Sequence, residues 1–313
     1  MIRFVLKRAI WVAPNILILT FLLFAILTSW LGSPSAMMLG LDASPAAISE
    51  MNRAYGFDDP IIQQYVRWLW AALQGDFGRS YATKQTVSSM IGSALPISIE
   101  LGLWAICLSG FAAVGLNSLI PRGKISGSLI SAVSVVSITI PNFMLGATLV
   151  YVFAIYLRWL PTSAWAPWSD GILDHLLHLI LPVATLSAFY FGSFSMIYRA
   201  EYRSVMNQLF VRVARAKGLS ATRVSLQHIL PNSVLPVITF MGITLGQLMG
   251  GAVVTEVVFS LPGIGRTFVA AIRGNDYPVI LAIGAIVLTG MMVTNLIADI
   301  VIAWINPQVR LSS

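Results

Sequence analysis

From Ala9 to Leu31 the chain runs without one charged residue, and five later stretches are nearly as apolar. A backbone crossing hydrocarbon must bond every amide internally, which restricts spanning structures to helices and closed barrels. A barrel would show short segments alternating apolar and polar. These runs do not alternate, and each is long enough for the ~20 residues a spanning helix needs. The candidate spans are 9–30, 97–119, 129–157, 177–199, 232–256 and 278–304. The third contains Pro141-Asn142, where a missing amide hydrogen should kink or interrupt it. With 57% hydrophobic residues, 10% charged and a mean hydropathy of +0.83, the whole chain belongs in a membrane.

The expected fold is therefore all-α and integral to the membrane, with six transmembrane helices in one domain, 1–313. A first span at 9–30 is followed by a segment at 31–96 and a five-helix core at 97–304. Arg3, Lys7 and Arg8 precede the first span. Its apolar run exceeds the ~7–15 residues of a signal peptide core, so it is expected to stay uncleaved. Cys107 is the only cysteine, leaving no disulfide within the chain and no cysteine-based metal site; it reads as a packing residue.

Charge orders the ends of the spans. With the N-terminus inside and the spans alternating, one side holds Arg3, Lys7, Arg8, Arg122, Lys124, Arg199, Arg203, Arg212, Arg215, Lys217, Arg223 and Arg310 against Glu201 alone. The other side holds Arg53, Arg67, Arg79, Lys84, Arg158, Arg266 and Arg273 with nine acidic residues, among them Asp76, Glu256 and Asp276. Lys and Arg in short loops stay cytoplasmic, which places both termini inside. The net charge of +7 then reflects orientation and anionic lipid, with no call for nucleic acid. Segment 31–96, with Tyr55, Tyr65, Trp68, Trp70 and Tyr81, falls outside as an amphipathic stretch near the interface or a plain cap.

The basic loop at 200–231 is the densest polar segment. Gly218 follows a helical pattern and suits the left-handed position that stops a helix. Ser220 can cap a second helix, and Pro231 suits the entry to the next span. The expected element is helix, glycine break, helix. Ala214, Ala216 and Gly218 would leave a low surface, with Arg212 and Arg215 on neighbouring faces. Such an element serves either a cytoplasmic partner or anionic lipid, and both readings stand at this point. A cysteine at Leu219 is expected to crosslink to a partner, and Gly218→Val to uncouple one.

Other polar positions are fewer. Pro262, Gly263 and Gly265 make a turn after Glu256, with Arg266 and Arg273 nearby, forming an outer plug, a docking edge or a simple return to the membrane. Asn295 and Asp299 share a face of the last span, as pathway lining or as a bond to a neighbouring helix. Gly242, Gly246 and Gly250 put glycine on one face, for helix packing or for a pathway. His175 and His178 have a spacing that can share a metal, but no third ligand is apparent, so no metal is assigned. HExxH and GxSxG patterns are missing, and no catalytic residue is named.

Several motifs in order carry a family resemblance. ARAKGLS at 214–220 with Pro231, GGAVVTEVVFSLPGIGR at 250–266, DYPVI at 276–280, GFDDPIIQQYVRWLWAALQGDFGRS at 56–80 and LPTS at 160–163 resemble the dipeptide, oligopeptide and nickel permeases of ABC transporters. The chain departs from that pattern in places. Arg212 stands where the permease loop motif opens with an acidic residue, and Val213 where it has alanine. Gly32-Ser33-Pro34 stands for Gly-Asp-Pro, and Asn306-Pro307-Gln308 for an acidic-Pro-Arg ending.

The resemblance implies a bacterial inner-membrane permease subunit importing peptides or nickel–chelator complexes. Its partners would be a second related permease, two ATP-binding subunits and an extracytoplasmic substrate-binding protein. ATP and Mg would be bound by the ATPase partners, since the one Gly-Lys pair here, Gly123-Lys124, lacks a phosphate loop's context. The coupling loop would comprise Arg212, Ala214, Arg215, Ala216, Lys217, Gly218, Leu219, Ser220 and Pro231. Candidates for pathway or outer gate are Glu256, Pro262, Gly263, Arg266, Asn295 and Asp299. The rival is a secondary transporter driven by an ion gradient, which predicts inverted repeats and several midplane charges.

Overall fold

The computed structural model describes residues 2–30, 34–39, 43–119 and 124–305; Gly32-Ser33, Arg122, Asn306-Pro307-Gln308 and Arg310 lie outside them. In chain order the helices are α1 (Ile2–Trp30), α2 (Pro34–Leu39), α3 (Pro45–Tyr55), α4 (Ile61–Leu73), α5 (Val87–Leu119), α6 (Lys124–Thr139) and α7 (Asn142–Leu149). They continue as α8 (Ile172–Met206), α9 (Leu209–Ala216), α10 (Ala221–Val224), α11 (Leu230–Gly251), α12 (Val253–Val258), α13 (Ile264–Arg273) and α14 (Tyr277–Ile305). Among the described residues five helices are long and apolar enough to span, or six spans if one bent pair counts as a crossing.

The bent pair is the third expected span. Its two arms meet at 105° across Ile140-Pro141, so the expected kink is a full break. Pro141 has no amide hydrogen to donate and disfavours helix in the residue before it. Beyond α7 the backbone loosens into a π-helix at Val150–Tyr156.

Two spans are longer than their apolar runs. α5 starts at Val87, ahead of position 97, and continues through Pro96. α8 runs on to Met206, so Arg203, expected in the loop at 200–231, lies in its last turn, and the helix does not stop at Arg199. Charge marks where lipid ends, whereas a helix continues into water for as long as its residues favour it.

Two apolar clusters form the interior. One gathers buried residues of α5, α8, α9 and α11, including Leu101, Phe194, Tyr198, Val211 and Val237. The other joins α1, α4, α13 and α14 through Phe24, Tyr65, Ile264, Tyr277 and Leu281. α4 packs onto α1, where the Tyr65 hydroxyl donates to the Leu17 carbonyl at 3.0 Å and lies 2.8 Å from the Thr20 hydroxyl. Its other face leaves Ile62, Val66, Trp70 and Leu73 exposed, as an interfacial helix would.

Small residues set the closest helix approaches. A Cβ on Gly192 of α8 would lie 2.5 Å from the Ser134 carbonyl oxygen of α6. On Gly246 it would meet Asn295 Oδ1 at 3.0 Å and the Met291 carbonyl oxygen at 3.1 Å; on Gly242 it would meet Ala298 Cβ at 3.0 Å. Gly242 and Gly246 thus seat α11 on α14. Asp299 pairs with Arg8 of α1, placing both members of the Asn295/Asp299 face in contacts between helices.

Candidate functional site

Polar groups concentrate at the two ends of α8, whose 35 residues extend about 50 Å. At its C-terminal end, Gln208 leads into α9, LFVRVARA. Val211 and Ala214 turn inward and are buried in the first core cluster. Leu209, Phe210 and Val213 remain exposed, at 73%, 44% and 44%. Their spacing of three and four residues makes them neighbours on one ridge. Arg212, Arg215, Ala216 and Lys217 are exposed around it.

Lys217-Gly218 then breaks the helix. Gly218 has φ +78°, and its amide donates to the Arg215 carbonyl at 3.0 Å. The Ser220 side chain caps α10, accepting from the Arg223 amide at 3.4 Å. Arg223 Nε donates to Gln227 Oε1 at 3.1 Å, and the Tyr202 and Ser225 hydroxyls, 3.1 Å apart, tie α8 to the following turn. That turn is a π-helix at Ser225–Ile229, placed just before Pro231, whose nitrogen cannot donate and whose ring crowds the turn behind it. Residues 221–248 then read as one span, so the break element is fixed to two long helices.

Two sequence expectations change here. Ala214 offers no surface to a partner because it faces the chain's own core. Leu219 is half-buried against that core, so the crosslinking position belongs on the α9 ridge. The exposed apolar residues Leu209, Phe210 and Val213 were passed over because a run of arginines looks uniformly polar in sequence.

At the other end, the turn at 259–263 is built around one carboxylate. Glu256, expected among the outer charges as a pathway or gate candidate, is 1% exposed. Ser98 Oγ of α5 donates to its Oε1 at 2.5 Å, and the Arg266 amide donates to its Oε2 at 3.0 Å. The same Ser98 Oγ accepts from the Ile264 amide at 2.8 Å. Glu256 thereby caps the N-terminus of α13, where free amides and the helix dipole favour an anion. Burial pushes its carboxyl upward, and the Ser98, Arg266 and Gly265 donors oppose that. Glycine is required above it, since a Cβ on Gly263 would lie 2.4 Å from the Glu256 carboxyl carbon. Pro262 and Arg266 are exposed beside this cradle, and Arg266 donates to the Ser260 carbonyl.

A second carboxylate fastens the neighbouring loop. Asp276, 3% exposed, accepts from the Ser80 hydroxyl and from the Tyr81 amide at 2.9 Å. Tyr81 is pushed upward by burial, then by Tyr277 and Asp276. His175 and His178 do not converge. His175 Nδ1 donates to the Ala166 carbonyl at 2.6 Å and its Nε2 lies 2.9 Å from Glu100 Oε1, whereas His178 Nδ1 lies 2.9 Å from the Asp174 carbonyl. Glu100, a lone acid in an apolar run, and Asp276, which opens DYPVI, were visible in sequence, whereas Ser98 and the pairings of all three were not, because their partners lie far along the chain.

Among the described residues a helix-break-helix element stands at one end of a helical bundle and carboxylate-pinned turns at the other. The family described as binding-protein-dependent transport system inner membrane component matches residues 105–311, and the N-terminal model for such membrane components matches 1–102. Glutathione transport system permease proteins of Salmonella paratyphi A, Escherichia coli K12 and Salmonella typhimurium LT2 are each 34% identical over 314 residues, covering 99% of both chains. The chain therefore belongs to the binding-protein-dependent inner membrane components: it is a multi-pass permease subunit of an ABC importer of the peptide/nickel group, and not an enzyme in itself.

Proposed function

We propose that this permease imports small peptides or peptide-like thiols of the glutathione class, paired with a related permease and driven by two ATP-binding subunits on the cytoplasmic side. Full-length similarity to glutathione permeases supports peptides over nickel complexes as the solute. An extracytoplasmic binding protein delivers the solute to the end that carries Glu256 and Asp276. ATP and Mg reside on the ATPase partners. The Lys/Arg excess supports cytoplasmic termini.

The observation that carries the reading is the α9 ridge: Leu209, Phe210 and Val213 exposed among Arg212, Arg215 and Lys217. An apolar ridge ringed by cations is a poor water-facing surface and a good knob for a groove. Arg212, where related loops open with an acid, calls for carboxylates in that groove. ATP-driven closure of the two ATPases moves the knob. The Gly218 break and Ser220 cap, continuous with α8 and α11, pass the displacement into the bundle.

The test places cysteine at Val213 in a Cys107→Ala background. Crosslinking to an ATPase subunit in the assembled complex is expected, with uptake into vesicles requiring ATP and no ion gradient. Uptake by the purified complex that runs on a gradient without ATP would overturn the reading.

A further inference from the structure

Arg199 of α8 is a cation without a counter-charge. Its Nη1 is shielded from solvent and has no hydrogen-bond partner. Among the described residues neither Arg199 nor Arg203 has a carboxylate within ion-pair distance. Arg203 lies one turn further along the same face, close enough to repel it. Glu201, the acid between them, projects from the opposite side, since two residues turn a helix by about 200°. The carboxyl end of α8 supplies about half a negative charge, short of what two guanidiniums need.

Depth places the pair. From Leu179 to Tyr198 the helix carries no charged residue, a rise of about 30 Å. The hydrocarbon core of a bilayer is about 30 Å thick, so Arg199 stands where headgroups begin. α6 runs antiparallel beside it. Gly192 of α8 lies against Ser134, and a Cβ on Gly127 would stand 3.9 Å from Arg199 Nη2. α6 starts at Lys124, which puts the positive end of its dipole at the same level. Nearer the bilayer centre, Met196, three residues back on the face of Arg199, and Val133, flanking Ser134, are exposed. The seam between α6 and α8 is thus apolar inward and cationic at its rim.

We infer that this seam binds an anionic phospholipid of the leaflet on the α9 side, its phosphate accepting from Arg199 and Arg203. The acyl chains lie along Met196 and Val133. Charge complementarity selects this occupant, as it does for basic pockets between membrane helices generally. A zwitterionic lipid brings its own cation to a site already holding two. A soluble anion leaves the apolar part of the seam uncovered. Because α8 passes through Asn207 and Gln208 into α9, the bound lipid steadies the base of the α9 ridge.

The test uses the assembled complex in nanodiscs, with Ser128→Cys in a Cys107→Ala background as its only reactive cysteine. Ser128 is exposed on α6 next to Gly127. The thiol carries bimane, and its quenching is compared for phosphatidylglycerol and phosphatidylcholine, each brominated in its acyl chains. At low ionic strength phosphatidylglycerol is expected to bind about fivefold more strongly than phosphatidylcholine. Arg199→Gln with Arg203→Gln should bring the two lipids to parity, and Arg199→Lys alone should keep part of the preference. Should the double variant not assemble, added salt must weaken the preference in the parent complex. Equal quenching in the parent overturns the proposal, as does a preference that survives both glutamines. Quenching by neither lipid means that a protein partner covers the seam, which also overturns it. Uptake is not the readout, so the outcome is independent of the import reading.

Discussion

Glu256 shows how one residue's chemistry can be misjudged without its surroundings. In sequence it is an acid near the end of an apolar run, and in the fold it is the buried cap of α13. Its three donors, Ser98 Oγ and the Gly265 and Arg266 amides, favour an ionised carboxylate, while burial favours the neutral acid. Glu256→Gln separates these. If the group is ionised, glutamine places an NH₂ against a donor, and the unmatched pair costs about 1–3 kcal/mol. We expect a lower thermal midpoint in detergent, with Glu256→Ala lower still. An unchanged midpoint for the glutamine variant would mean that the carboxyl already carries a proton. Gly263→Ala should destabilise through the same centre, because the added methyl falls on the carboxyl carbon.

At the scale of the element, Gly218 separates conformation from contact. No atom lies within 4 Å of where its Cβ would stand, so substitution there is opposed by φ +78° alone. A β-branched residue in that region costs about 1–2 kcal/mol, and asparagine less. Gly218→Val should therefore raise the ATP hydrolysed per solute imported, with insertion normal and Gly218→Asn much milder. Wild-type coupling in the valine variant refutes the break as a transmitting joint, and equal damage from both points to a surface contact. This element was legible in advance because its signals are local: a glycine stop, a serine cap and a proline within a few turns. The span count was legible for the same reason, since hydropathy is read residue by residue. The inward turn of Ala214 and the half-burial of Leu219 were not, because they depend on which face of α9 turns to the first core cluster. The pairings of Ser98 with Glu256, Glu100 with His175 and Ser80 with Asp276 bridge 75 to 196 positions of sequence, and no local pattern announces them.

For the whole molecule, length decides what stands clear of the membrane. α8 extends about 50 Å, against a hydrocarbon core of about 30 Å, so its ends project into water or headgroups. Arg199 and Arg203 lie in its last turns, and α9 follows beyond them. A knob standing off the bilayer can be gripped by a soluble partner, which a loop pressed against headgroups cannot. At the far end of the bundle, Arg273 closes α13 beside the two pinned turns. In the orientation proposed from the Lys and Arg partition, α9 lies in the cytoplasm and Arg273 outside. Single cysteines at Val213 and Arg273, each in a Cys107→Ala background, test this with a membrane-impermeant maleimide on intact spheroplasts. The Arg273 position should label at once, and the Val213 position only after permeabilisation. Reversed labelling would put the α9 ridge on the side without ATP, and coupling through it would have no engine to connect to.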